Sequence, residues 1–431
     1  MAINSISTRR MVKRAPVIAL AALFIGTSLV GCSAATDTPT GSTGGGSAVA
    51  AATLADSGCG SLPGGMPADP DGVLANIAAP AAKALEGIDF TLSKSAWADT
   101  PENKGPWTIG YSALPITGAI NQGYLDQLQK RFDEAKAAGL VTGDFQINLM
   151  PDPSSMSPAQ QLQGYQSLVS SGVDGILLQA FAPVAMATAV DDAGAAGIVT
   201  SSFTPISSSY AVASGVSFFQ DAGSAAAGVL GQLGGKGKVL IVNGIEGIDP
   251  QVQGANGVKA ALSVCPDIEV VAEIPAMFTN GTAKTAVQNF LASYPGKIDA
   301  VLQMGGMATG VINAFEQVGR DVPLVGMNGA SAGALAYWNE NKASYSPAGV
   351  AGSPAQQADA AWDVLIRTLA GKGPKANYMP LIPTLITSDN VADFVVEGAD
   401  QNSDAPMGEG APYVTPEALD EFFAISGSPE K

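Results

Sequence analysis

From Trp107 onward, short apolar runs alternate with longer amphipathic stretches. Thr108-Ile109-Gly110-Tyr111 reads as a strand, and 121–138 as a helix with Tyr124, Leu125, Leu128 and Phe132 on one face. Residues 146–149 form the next strand. Pro158 then opens a helix carrying Leu162, Tyr165, Leu168 and Val169. A strand at 175–178, a helix over 183–196 and a strand at 198–200 complete the series. The pattern is βαβαβαβ with short loops. Strands that are apolar throughout predict a parallel sheet covered on both faces.

A second series begins near Ser214. Strands are expected at 216–218, 238–242, 268–271, 300–303 and 324–326, with helices over 222–233, 252–262, 283–293 and 308–318. A further helix, 355–370, turns Ala358, Trp362, Leu365 and Leu369 inward. Upstream, 74–85 reads as an amphipathic helix and 97–106 as an extended connection. The expectation is two similar α/β lobes of roughly equal size.

The amino terminus follows a different logic. Arg9, Arg10, Lys13 and Arg14 precede an apolar run over 15–30. That order marks an export signal, and the run is short for a membrane span. It ends in Leu29-Val30-Gly31-Cys32-Ser33, which resembles the bacterial lipobox. The resemblance implies that Cys32 is diacylated and becomes the first residue of the processed chain. Residues 33–57 are Ser, Thr, Gly and Ala, the composition of a flexible tether.

Charge and residue usage narrow the chemistry. There are 38 acids against 21 bases, a formal charge of -17, and no basic run outside the amino terminus. Nucleic-acid binding, which needs clustered Lys and Arg, is disfavoured. The chain has no histidine, so the commonest general base and transition-metal ligand is missing. No nucleophile elbow, phosphate loop or metal cluster stands out, and neither enzyme activity nor a cofactor is expected. With Cys32 assigned to lipid, Cys59 and Cys265 remain as an even pair in an oxidising compartment. They are expected to form a disulfide that pins 58–106 to the second lobe.

Several stretches, in order, resemble the type I periplasmic binding proteins of the ribose/galactose class. They are Gly172-Val173-Asp174-Gly175-Ile176, Gly234-Gly235-Lys236-Gly237-Lys238, Pro266-Asp267-Ile268-Glu269-Val270, Lys297-Ile298-Asp299-Ala300-Val301 and Val325-Gly326-Met327-Asn328-Gly329. The resemblance covers about residues 107–395. It implies two Rossmann-like lobes with parallel sheets, joined by a three-strand hinge, with the ligand in the cleft between them. The export signal and lipobox make 1–31 the signal peptide and 32–57 the tether, which leaves 58–106 as an N-terminal extension. Lobe 1 is 107–205 plus 353–380, and lobe 2 is 206–352 plus 381–431. Hinge crossings are expected near 204–207, 350–354 and 379–381.

The implied function is that of an extracytoplasmic, lipid-anchored receptor of an ABC importer. It would act as a monomer and pass a sugar-like solute to the permease subunits. A sensory receptor on the same fold, or a receptor for a less polar molecule, are the alternatives. The ligand site is expected at the carboxyl ends of the strands, as in open α/β sheets generally. The candidates from lobe 1 are Thr117, Asn121, Gln179, Phe181, Ser202, Phe203 and Thr204. Those from lobe 2 are Glu246, Asp249, Gln303 and Asn328. Several positions depart from the family's sugar readers. Val252 or Gln253 stands where an arginine is common, and Asn328 where an aspartate is usual. The departures point to a cleft that is less charged and more apolar.

Overall fold

The computed structural model describes residues 58–77, 82, 85–88, 90–116, 119–151, 156–381, 384–409 and 416–423. The export signal, Cys32, the tether and Thr117 lie outside the described residues.

The first sheet contains β1 (Ile109–Ala113), β2 (Gln146–Leu149), β3 (Gly175–Leu178), β4 (Val199–Ser202), β5 (Ala211–Val216) and β12 (Tyr378–Leu381). Its order is β2-β1-β3-β4-β5-β12, and every pairing is parallel. The second lobe pairs β6 (Lys236–Asn243), β7 (Asp267–Pro275), β8 (Ala300–Gln303) and β9 (Leu324–Val325) in the order β7-β6-β8-β9. A separate ladder joins β10 (Met327–Asn328), β11 (Gly349–Val350) and β13 (Leu385–Ile386). Only Gly326 separates β9 from β10, so 324–328 is one length of strand that pairs first with β8 and then with β11. Traced through it, the second lobe repeats the winding of the first. Its last strand, β13, runs antiparallel.

Local chemistry places the helices. Ser157 Oγ accepts from Gln160 N and Pro158 follows, so α2 (Pro158–Ser171) starts there; Gly172, with φ of 77°, ends it. Ser217 caps α4 (Phe218–Gln232), and Ser353 caps α9 (Pro354–Leu369) ahead of a proline. In the first lobe, α1 (Ala119–Ala137) and α9 cover one face of the sheet, with Phe132 edge-on to Trp362. The other face receives Tyr165 and Leu168 from α2, and Met186 and Val190 from α3 (Pro183–Ala195). The second-lobe core surrounds Val239, Leu240 and Val242 of β6. Five more helices complete the fold: α5 (Asp249–Ser263), α6 (Asn280–Ser293), α7 (Ala308–Gln317), α8 (Ala332–Asn341) and α10 (Pro416–Phe422).

Three sequence expectations are corrected. Residues 211–216, assigned to the second lobe, form β5 of the first sheet, so the chain leaves that sheet at Val216 and not near 204–207. Ala211-Val212-Ala213-Ser214-Gly215-Val216 is fully buried but built of small residues, which leave a weak apolar signature. The strand expected at 216–218 ends at Val216, because Ser217 turns to cap α4. Of the helix expected over 74–85, Val73–Asn76 is a 3-10 turn, Ile77 is extended and Ala82 is helical; 78–81, 83 and 84 lie outside the described residues. Val73, Ile77, Leu85 and Ile88 are buried against the first lobe. Finally, part of 381–431 belongs with the first lobe. Leu419, Phe422 and Phe423 join its core, and Arg367 on α9 donates to Asp420 at 2.6 Å.

The extension reaches both lobes. The expected Cys59–Cys265 bridge is formed and fastens it to the second. Farther on, Gln220 Nε2 of α4 donates to Glu86 O, and the Trp97 indole donates to Tyr210 O, just before β5 of the first. Asn377, just before β12, accepts from Ser93 N at 2.9 Å.

Candidate functional site

The carboxyl ends of the two sheets carry the loops that meet between the lobes. On the first lobe, Asn121 in the first turn of α1 donates to Pro115 O at 3.1 Å and accepts from Gln179 Nε2 at 3.0 Å. Gln179 Oε1 accepts from Leu114 N. Gln161, a buried residue of α2 not anticipated from sequence, donates to Gln179 O and accepts from Phe181 N. This network ties the ends of β1 and β3 together and fixes the Asn121 amide in place. Phe181 remains half-buried beside it.

The segment after β4 turns inward. Ser202 Oγ accepts from Thr204 N, and the Phe203 ring meets Tyr124 edge-on at 5.0 Å and Tyr111 at 6.4 Å. Phe203 is 6% exposed, so it belongs to the packing of the lobe. The Tyr124 hydroxyl donates to Gln357 Oε1 at 2.6 Å. Thr204 Oγ1 is buried without a partner.

On the second lobe, Gln303 has no free valence for a solute. Its Nε2 donates to Gly326 O, Asn328 O and Asn328 Oδ1, while its Oε1 accepts from Gly305 N and Met307 N. It builds the loop that presents Asn328. A side chain at Gly305 would stand 3.8 Å from Asn328 Nδ2 and 3.9 Å from Phe278 Cε1, so these two groups flank one spot. Phe278 and its neighbour Met277 hold φ of 57° and 58°, a left-handed conformation costly for residues with a Cβ. Such strain collects at ligand clamps. Here it lays the Phe278 ring against Gly244, where no side chain would fit. Neither residue was expected from sequence, because nothing in the stretch Ala276-Met277-Phe278-Thr279 signals positive φ.

The carboxylates differ in setting. Glu246 is exposed. Asp249, in the first turn of α5, is half-buried; burial raises its affinity for a proton, and the hydrogen bond from Gln253 at 2.6 Å opposes this. Asp221, in the first turn of α4, was not anticipated. Burial pushes its carboxyl up to about 8, and its Oδ1 has no partner. Among the described residues, no group of three or more His, Cys, Asp or Glu could hold a metal.

Two parallel sheets of like winding, each with its loops at the carboxyl ends of the strands, define a two-lobed α/β fold. A sequence profile of the periplasmic binding protein domain matches residues 114–373, and the chain belongs to that family of extracytoplasmic binding proteins. It is similar to the xylitol-binding protein of Mycolicibacterium smegmatis, 26% identical over 61% of this chain and 72% of the relative. The ribose import binding protein RbsB of Bacillus subtilis is 25% identical over 53% of this chain and 71% of its own. An ABC transporter solute binding protein from Thermobispora bispora superposes with a TM-score of 0.60 at 26% identity, over 69% of this chain and 90% of that one. No helix among the described residues is long and apolar enough to cross a membrane.

Proposed function

We propose that the protein is the solute receptor of an ABC importer, taking a sugar or polyol between its lobes and delivering it to the permease. The observation that carries this reading is the repeated winding, which turns two loop-bearing sheet edges toward one cleft. The relatives named for xylitol and ribose support the solute class. Attachment through an acylated Cys32 and a tether over 32–57 would hold the receptor at the outer membrane face. No catalytic role is assigned.

In this reading the ligand contacts Asn121, Gln179 and Phe181 from the first lobe, with Thr117 and Thr204 beside them and the buried Ser202 and Phe203 packed behind. From the second lobe come Asn328, Asp249 and Glu246, joined by Phe278. Gln303 supports Asn328. The first lobe is 107–216 with 353–381 and 416–423, and the second is 217–352 with 384–409. Contacts to both lobes stabilise the closed arrangement, because contacts to one alone would leave the equilibrium unchanged. A thermal-shift screen over pentoses, hexoses and polyols tests the reading. A specific ligand raises the unfolding temperature with the logarithm of its concentration over Kd, and a screen in which none does so contradicts the reading.

A further inference from the structure

The Phe278 ring lies across the carboxyl ends of three neighbouring strands. Phe278 itself follows β7, and its left-handed backbone holds the ring in place. A side chain at Gly244, just past β6, would collide with the ring at Cε2. One at Gly305, just past β8, would stand 3.9 Å from Cε1 and 3.8 Å from Asn328 Nδ2. β6 lies between β7 and β8 in the sheet, so the ring covers the middle of this lobe's strand ends. Ile120 reaches the same place from the first lobe. A side chain at Gly306 would stand 3.9 Å from both Ile120 Cδ1 and Phe278 O. An exposed aliphatic group of one lobe and an aromatic ring of the other thus approach one pair of glycines.

Hydrogen-bonding capacity at this place is small. The backbone N–H groups of Gly305 and Met307 donate to Gln303 Oε1, and that of Gly306 donates to Asn328 O. Asn328 Oδ1 accepts from Gln303, which leaves the Nδ2 donor of that amide. Beside Ile120, the amides of Asn121 and Gln179 each already donate and accept. The described loops at the strand ends, 114–116, 179–182, 203–208, 244–248, 276–279, 304–307, 329–331 and 351–353, contain no Lys or Arg to answer an anion. A hydroxyl enclosed here would find Asn328 Nδ2 to accept from and no acceptor among the groups just named for its own proton, and a polar group left short of partners is costly. An apolar group has no such need and gains by covering Phe278 and Ile120.

We propose that the surface formed by Phe278 and Ile120 receives an apolar substituent of the ligand, so that the protein prefers a deoxy or alkylated sugar over its fully hydroxylated parent. This rests on the reading of the chain as a sugar-type receptor, and it names the class of sugar. The test is titration calorimetry on the whole chain with matched pairs that differ by one such group: L-fucose with L-galactose, 5-deoxy-D-ribose with D-ribose, and methyl β-D-xylopyranoside with D-xylose. In a pair that binds, the deoxy or methylated member is expected to be tighter by about tenfold to a hundredfold, the range an apolar pocket achieves against an added hydroxyl. Phe278→Asn supplies an amide and tolerates the left-handed backbone, so it should bring the two members to within about threefold of each other. Ile120→Ser, at an exposed position, is a second variant with the same expected direction should Phe278→Asn fold poorly. A hydroxylated parent that binds as tightly as its partner overturns the proposal and leaves the sugar-receptor reading intact. So does a preference that survives undiminished in both variants. Absence of binding by every member of all three pairs would instead count against the receptor reading, and this proposal would fall with it.

Discussion

Gly306 of the second lobe faces Ile120 of the first: a side chain at Gly306 would stand 3.9 Å from Ile120 Cδ1. Ile120 lies in the first turn of α1, is 44% exposed and meets the loop after β8 across the cleft. This contact forms only where the lobes approach, so it contributes to the closed arrangement and little to either lobe's own stability. Ile120→Ala should weaken ligand binding a few-fold, consistent with loss of roughly 1 kcal/mol of apolar contact. The unfolding temperature of the ligand-free protein should not move. Calorimetry for the affinity and a thermal melt for the fold separate the two effects.

The left-handed pair Met277–Phe278 predicts opposite effects at adjacent positions. Met277→Gly relieves a conformation that costs on the order of 1 kcal/mol, so it should raise the melting temperature by a few degrees. Phe278→Ala removes the ring that flanks Asn328 and should lower affinity at least tenfold. If Phe278→Ala leaves binding unchanged, the strained turn is an architectural feature of the lobe and not a clamp.

Asp221 sets a dependence of stability on pH. Its folded pKa, pushed up to about 8 by burial, lies above its ordinary value of 3.8. Between those values the folded chain keeps a proton that the unfolded chain has lost, so this group's contribution to stability falls as pH rises from about 4 to about 8. Burial alone causes the shift; Tyr124 and Tyr378, the groups on which its charge acts, are themselves held neutral by burial. Asp221→Asn removes the dependence. Denaturant titrations of both proteins should show the variant gaining most on wild type near pH 8 and least near pH 4. A difference independent of pH would mean that the carboxyl is hydrated and unshifted.

The Cys59–Cys265 bridge closes a separation of 206 residues. In the chain-entropy limit that constrains the unfolded state by about 5 kcal/mol, and measured gains are commonly smaller. Replacing both cysteines by serine should therefore lower the denaturation midpoint. The extension carries contacts from α4 across to the β12 edge, so losing its anchor on the second lobe should also widen the range of lobe separations in the ligand-free protein. Urea unfolding measures the first effect and small-angle scattering the second.

The lobes were legible in the sequence because apolar strands and capped helices leave periodic marks. Ser157-Pro158 and Gly172 bound α2 as their chemistry requires, and Cys59 found Cys265 as the remaining pair. The site was harder to read. Gln303 has the look of a solute reader, yet its Nε2 donates to carbonyls more than twenty residues away, which only the folded chain brings near. Phe278 was hidden because its position depends on a backbone conformation that its sequence does not announce. Asp221 reads as an ordinary first-turn acid of a helix. Its burial comes from the start of α4 lying close to Tyr124 and Tyr378 of the first lobe. β5 escaped notice because strands of Ala, Ser and Gly lack the bulky residues that mark a buried strand.

The central claim is that solute binds between the lobes and draws them together. Val184 opens α3 on the lip of the first lobe and Val252 lies in the first turn of α5 on the second, and both are exposed, at 89% and 48%. Spin labels on Val184→Cys and Val252→Cys report the distance across the mouth of the cleft by pulsed electron resonance. With the tightest-binding ligand from the sugar and polyol screen, the distribution should narrow and shift to shorter distance in proportion to occupancy. A distribution unchanged at saturating ligand would contradict a site shared by the two lobes.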